Sequence, residues 1–340
     1  MPSELHFLNV KQGDCGWIKH PNGNNTIIDV FNASIEKQES QALRKAFSEI
    51  SVLESVKARG AKGNFGQKKF PVNPVEYLKD FGVSSVFRFI LTHPDMDHMG
   101  GIEDFFNTFK PTNFWDTNNK KEIESFEGSP HKKSDWEFYK NLRKGSDTNP
   151  IRLQLLSGAK GKYYNENEDG SCCGNGLFIL ATTKKLLDLA NESGDFNDCS
   201  YAILYRPPNG AKVVIAGDSH DNTWEHILEN WKDEVKNCDV LLAPHHGRDS
   251  KRSYNFLDVL NPKVTFFGIA KSSHLNYSAW SNRNLQVFTN NQGNCLIAKF
   301  NEGGTQIRCT YKTFAEAYCK ANGYETSYCS STKTYYLKTL

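Results

Sequence analysis

LTHPDMDHMGG, residues 91–101, places His93, Asp95, Asp97 and His98 within six positions and follows them with Gly100 and Gly101. Carboxylates this close repel one another unless cations sit among them or protons neutralise them. The preceding SSVFRFILTH reads as a buried strand that delivers His93 at its C-terminal end, and the following GGIEDFFNTF as the opening of a helix. The cluster therefore falls on a strand-to-helix turn, where α/β proteins place their active sites. A lone His-x-Asp would be a solvated or core imidazole beside a helix cap; His-x-Asp-x-Asp-His can fan around two adjacent ions. Mixed nitrogen and oxygen donors without thiolate suit Zn²⁺ and also Mn²⁺. Two ions about 3.5 to 4 Å apart would clamp both the attacking and the leaving oxygen of a phosphodiester while activating water.

Further candidates lie at other strand ends. The opening ELHFLNVKQGDCGWIKHPNGNNTIIDVFN alternates apolar and polar residues and turns at PNGNN, which predicts a hairpin. Its Asp14 and Asp29 either orient ligand histidines or are ordinary turn and strand-end residues. KVVIAGDSH is a strand ending at Asp218, DVLLAPHHG a strand ending at His245 and His246, and SSHLNYSAW adds His274. GLFILATT, SYAILYR and KVTFFGIA read as strands, and LQVFTNNQGNCLIAKF as a closing hairpin. Strand blocks in both halves favour two packed sheets with helices outside over one parallel sheet.

Two segments interrupt this pattern. Residues 36–56 have helical spacing, and KARGAKGNFGQKK after them carries Lys57, Arg59, Lys62, Lys68 and Lys69 among glycines with no acid. That loop either grips phosphates or is a solvated face. Residues 119–150 form a polar, lysine-rich, aromatic insertion whose WEFYKNL core suggests a helix; Trp136, Phe138 and Tyr139 there either stack bases or pack on the core.

The chain has 340 residues, 24% of them charged, and a formal net charge of +2. It can bury a full core, and neither bulk disorder nor a globally basic nucleic-acid binder is indicated. With no apolar run of membrane-spanning length and no secretory signal at its start, the expectation is a cytoplasmic protein without a membrane partner. Nine scattered cysteines, never in C-x-x-C spacing, fit reduced thiols rather than a metal site.

His93, Asp95, Asp97 and His98 match the H-x-[H/D/E]-x-D-H motif of the metallo-β-lactamase superfamily, which the chain resembles. More narrowly it resembles the nuclease-like domain of ComEC-type competence proteins. FLNVKQGDCGWIKHPNGNNTIIDV is similar to that branch's opening hairpin, VVIAGDSHDNTWE to its Gly-Asp strand end and LLAPHHGRDSKRS to its His-His-Gly-Ser strand end. VFTNNQGNCLIAKF is similar to its closing hairpin. Asn197 and Ser200 stand where many members supply a histidine, as in the competence branch's Asn-x-x-Ser, and would contact substrate.

The resemblance implies an α/β fold, a four-layer αββα sandwich, over residues 1–305, with insertions near 36–70 and 119–150 and an extension of unknown role at 306–340. It implies two divalent ions, zinc or manganese, held by His93, Asp95, Asp97, His98, Asp218 and His245, with Asp218 bridging. The expected activity is that of a freestanding metal-dependent phosphodiesterase or nuclease, cleaving DNA or RNA by in-line attack of a metal-bound hydroxide. Asp97 would orient the nucleophile, and His246 or His274 would assist the leaving oxygen. The rival readings are a hydrolase of a small ester, lactone or cyclic nucleotide, and a metal-binding module without catalysis.

Overall fold

The computed structural model describes residues 2–34, 63–145, 149–249, 251–270 and 275–340. Six strands come from the first half: β1 (Ser3–Phe7), β2 (Gly16–Lys19), β3 (Asn25–Ile28), β4 (Arg88–Ile90), β5 (Asn113–Trp115) and β6 (Ile151–Leu153). A second sheet takes β7 (Leu177–Ala181), β8 (Ala202–Tyr205), β9 (Val213–Ile215), β10 (Val240–Leu242), β11 (Val264–Phe267) and β12 (Val287–Thr289). The chain then returns to the first sheet with β13 (Leu296–Asn301), β14 (Gly304–Cys309), β15 (Tyr328–Cys329) and β16 (Thr334–Thr339). The strand orders are β15-β16-β14-β13-β1-β2-β3-β4-β5-β6 and β12-β11-β10-β9-β8-β7.

Both sheets join an antiparallel meander to a parallel run. β1, β2 and β3 are antiparallel before β3 to β6 run parallel; β7, β8 and β9 are antiparallel before β9 to β12 run parallel. Parallel neighbours need crossovers long enough to hold a helix, and helices Ile102–Phe109, Asp221–Asn230 and Phe256–Leu260 lie in such crossovers.

Alternation along each strand sorts its side chains between layers. Ile18, Ile28, Ile90 and Trp115 of the first sheet share one core with Ile203, Ile215, Leu242 and Phe266 of the second. Their neighbours Trp17, Ile27, Phe89 and Phe114 point the other way, onto Leu78, Phe105 and Trp136 of the helices outside. On the second sheet Leu204, Val214 and Leu241 likewise turn outward to Leu186, Trp224 and Leu257. The layers are therefore helix, sheet, sheet, helix, as the strand blocks led us to expect. Among the described residues no helix is long and apolar enough to cross a membrane.

Several expectations are corrected. The opening hairpin is three strands, because residues 8–15 leave the sheet as a loop between β1 and β2. The closing hairpin is divided between the sheets: β12 ends the second and β13 joins the first. A capping box between Thr289 and Gln292 starts the Asn290–Gly293 turn that separates them. The boundary after 305 falls inside β14, and residues 306–340 complete the first sheet, with Phe314, Ala315 and Leu337 in the common core. Cys172 and Cys173 are disulfide-linked instead of reduced, adjacent on an exposed loop; the other cysteines are free. The helical spacing over 36–56 lies outside the described residues.

Candidate metal centre

Strand ends from both sheets converge. His93 follows β4, Asp97 and His98 occupy a short 3-10 turn, Asp218 follows β9, and His245 and His246 follow β10. The β1–β2 loop comes so close to the Asp97 turn that a Cβ at Gly13 would lie 1.9 Å from the Asp97 carbonyl oxygen. With φ at +106°, only glycine suits that contact. His245 and His246 both take left-handed φ values of 52° and 58°, a conformation that costs about 1 kcal/mol or more per non-glycine residue. In return the two rings diverge, with 64° between their planes.

The Nε2 atoms of His93, His98 and His246 and Oδ1 of Asp218 are buried and have no hydrogen-bond partner. Four such orphans in one molecule are expensive unless something binds them, and these face one another. His98 Nε2 lies 3.4 Å from Asp218 Oδ1, and His93 Nε2 lies 4.0 Å from Asp218 Oδ2. His246 Nε2 lies 3.6 Å from Asp97 Oδ2 and 3.7 Å from Asp218 Oδ2. Ligand atoms close enough to share an ion occur in the sets His93, His98, Asp218 and Asp97, His98, His246, and also in Asp14, Asp218, His246. The donors fit a divalent ion.

The hydrogen bonds behind the histidines fix which nitrogen points inward. Thr92 donates through both its backbone N and its Oγ1 to Asp29, each at 2.7 Å, so Oγ1 can only accept from His93 Nδ1, 3.0 Å away. Asp29 Oδ2 also accepts from His98 Nδ1 at 2.8 Å, and Asp14 Oδ1 from His246 Nδ1 at 2.8 Å. All three rings thus carry a proton on Nδ1 and turn Nε2 toward the centre, the arrangement that metal-ligating histidines use. Asp14 and Asp29 are therefore orienting groups; Asp14 in the third set is already engaged with His246.

Charges follow the same geometry. Burial works against the His98 and His246 imidazolium forms, but Asp218 with Asp29, and Asp14 with Asp218, outweigh it and raise both well above the ordinary histidine value. Asp218, despite burial, is held well below the usual carboxylate range by His246 and His98. Burial and the neighbouring His98 charge lower His93.

The remaining expected residues separate. Asp95 Oδ2 is 3.8 Å from His93 Nε2, while its Oδ1 pairs with Lys121, whose ammonium also lies over the Phe196 ring. His245 Nε2 reaches 3.6 Å from Asp218 Oδ2, but its Nδ1 faces Arg252 Nη2 at 2.8 Å. The structure thus brings His246, expected to assist the leaving oxygen, into the donor sets, and leaves His245, expected to ligate, beside them. Ser200, expected on the substrate, is fully buried, and its Oγ accepts from the Asp218 backbone N at 3.3 Å. Asn197 keeps a buried Oδ1 without partner on the adjacent turn. Lys68 and Lys69 are exposed on the Gln67–Lys69 turn; Lys57, Arg59, Lys62 and His274 lie outside the described residues. Trp136 and Tyr139 are buried in the outer core, which excludes base stacking for them. Lys121 and Arg252 were not singled out from sequence, where a lysine and an arginine outside any ligand spacing carry no signal.

No known family model matches the chain, and no curated protein matches it in sequence. Among solved structures it is similar to a diphosphatase from the PhnP family, at 11% identity and TM-score 0.39 over 88% of this chain and 98% of that one. It is also similar to yeast PDE1, at 11% identity and TM-score 0.40 over 85% and 98% of the two chains. A long form of RNase Z from yeast aligns at 10% identity and TM-score 0.34 over 80% of this chain and 38% of that one. At these scores the functional reading stays with the chain's own geometry.

Proposed function

We propose that this chain is a metal-dependent hydrolase of the metallo-β-lactamase superfamily, a phosphodiesterase or nuclease acting on DNA or RNA and akin to the ComEC-type nuclease domain. The observation that carries it is the convergence of His93, His98 and His246 Nε2 with Asp218 Oδ1, all buried and unpartnered. Two zinc or manganese ions would be held by His93 and Asp95 on one side and by Asp97, His98 and His246 on the other, with Asp218 shared. Such ions supply Lewis acidity and a nucleophilic water at neutral pH.

The protein's own groups do the rest. Asp29 and Asp14 hold the imidazoles in the ligating tautomer. Asp97, 3.6 Å from His246 and partly exposed, would orient an attacking water. Lys121, paired with Asp95, and the buried Arg252 behind His245 add two cations beside the cluster, which suits an anionic phosphodiester better than a neutral ester or lactone. Lys68, Lys69 and the basic residues before them would add affinity for a polymer, and Asn197 a contact to substrate.

The test incubates metal-stripped protein with single- and double-stranded DNA, RNA, cyclic dinucleotides and a generic ester, adding Mn²⁺, Zn²⁺ or Mg²⁺ separately. Ion-dependent cleavage of a nucleic acid is expected. Turnover confined to the ester would replace the phosphodiesterase reading, and no turnover with any ion would remove the hydrolase.

A further inference from the structure

His245 differs from the three histidines beside it. Their Nδ1 atoms each meet an acceptor, whereas His245 Nδ1 meets the Arg252 guanidinium at 2.8 Å. A guanidinium has donors only, so His245 Nδ1 must accept and the ring proton must sit on Nε2. The Nε2 lone pair that a metal needs is then absent. Arg252 is itself fixed: it is nine-tenths buried, and its Nη1 donates to the Ser219 carbonyl oxygen. The His245 side chain is 18% exposed, against 2% for His246 and none for His93 and His98, so His245 is the imidazole that a substrate can reach. Its Nε2 stands over Asp218 at 3.6 Å, at the edge of the donor cluster.

We propose that His245 is a neutral hydrogen-bond donor to a phosphoryl oxygen of the substrate through Nε2–H, and that Arg252 is the positioning residue that imposes this tautomer. The inference rests on the phosphodiesterase reading above. His245 keeps its proton throughout, since giving it up would leave an imidazolate; it stabilises charge on the phosphoryl group without acting as a general acid. The consecutive left-handed residues give the His-His pair two different tasks, His246 turned inward to ligate and His245 outward to bind.

Long-range ¹H–¹⁵N spectra of the zinc-loaded protein labelled at histidine read tautomers directly. The expected result is an Nε2-protonated imidazole whose signal is missing from His245→Gln and changed in Arg252→Met but retained in Arg252→Lys, whose ammonium also only donates. His93, His98 and His246 should show Nδ1–H and a zinc-shifted Nε2. In turnover of a dinucleotide, His245→Ala should lose roughly 10²- to 10³-fold in kcat, as removal of an oxyanion donor does. It should retain the full zinc content, and His245→Gln should recover part of the loss through its amide donor. A zinc-shifted Nε2 on His245, or loss of zinc from His245→Ala, would overturn this assignment alone. A protein in which no histidine responds to zinc would overturn the metal-centre reading and this one with it.

Discussion

Asp29 holds the ligand turn together from behind. Its carboxylate accepts from Thr92 N, Thr92 Oγ1 and His98 Nδ1, and through Thr92 it also sets the His93 tautomer. Asp29→Asn is nearly isosteric but replaces one acceptor oxygen with an NH₂ group. That group would donate toward His98 Nδ1 and leave the His98 proton on Nε2, facing the ion. The expected outcome is a folded protein whose zinc affinity, measured by chelator competition, falls by about 10- to 100-fold; unchanged affinity would show that Asp29 does not orient the ligands. The raised values of His98 and His246 have a second consequence. The carboxylates around the two rings favour their protonated forms in the metal-free centre, and an ion competes with those protons. Zinc binding should therefore release protons, read as the buffer dependence of the binding heat. The same two rings, being raised, stabilise the metal-free fold fully below about pH 6.5, and that contribution is lost as pH rises through their folded values. Much of this site was legible in the sequence because His93 to His98 are consecutive and the other donors end apolar runs. Which member of the His245–His246 pair turns inward was not, because backbone φ and the Arg252 contact decide it, and both are tertiary.

At the scale of elements, the insertion between β5 and β6 supports the site. Asp135 at the start of helix Lys133–Lys144 accepts from Gly101 N at 2.9 Å, just beyond the ligand turn, and the same segment delivers Lys121 to Asp95. Asp116, after β5, ties the insertion down: Arg152 Nη2 donates to it at 2.7 Å and the Tyr139 hydroxyl at 3.1 Å. Burial nevertheless outweighs Arg152 and raises the Asp116 carboxyl to about 6 from 3.8. A group raised in this way favours the folded state below its unfolded value and loses that contribution as pH rises through its folded one. Here the window is about pH 4 to 6, and the shift corresponds to about 3 kcal/mol. In urea unfolding of the metal-free protein, the stability of wild type relative to Asp116→Asn should decline by about that amount across the window. A constant difference from pH 4 to 7 would show that Asp116 is not desolvated. The helix was legible from WEFYKNL, but its role was not, since Asp135 and Lys121 find their partners only after the chain returns across the sheet.

Over the whole molecule, the period-two pattern made both sheets legible, because each strand buries one face in the shared core and the other under helices. The pattern cannot say which strands become neighbours. β13 pairs with β1 across almost the full length of the chain, and a single turn divides β12 from β13 between sheets. The same limit made residues 306–340 look like an appendage, when they carry half of the β13–β14–β16 ladder. Every proposed ligand lies before residue 303, so a chain ending there tests whether the centre depends on the completed sheet. Truncation would expose the β13 edge and remove Ile307, Phe314 and Leu337 from the core, each at most 1% exposed. At about 1.5 to 3 kcal/mol per buried side chain of this size, the loss is roughly 5 to 9 kcal/mol, comparable with the 5 to 15 kcal/mol that holds a typical domain together. The truncated chain should therefore lose cooperative thermal unfolding, bind a hydrophobic dye such as ANS, and fail to retain zinc through a desalting column, although all its ligands are present. A sharp unfolding transition with full zinc content would instead show that the meander of β1 to β3 and the second sheet suffice to hold the centre, and that the last strands serve some other purpose.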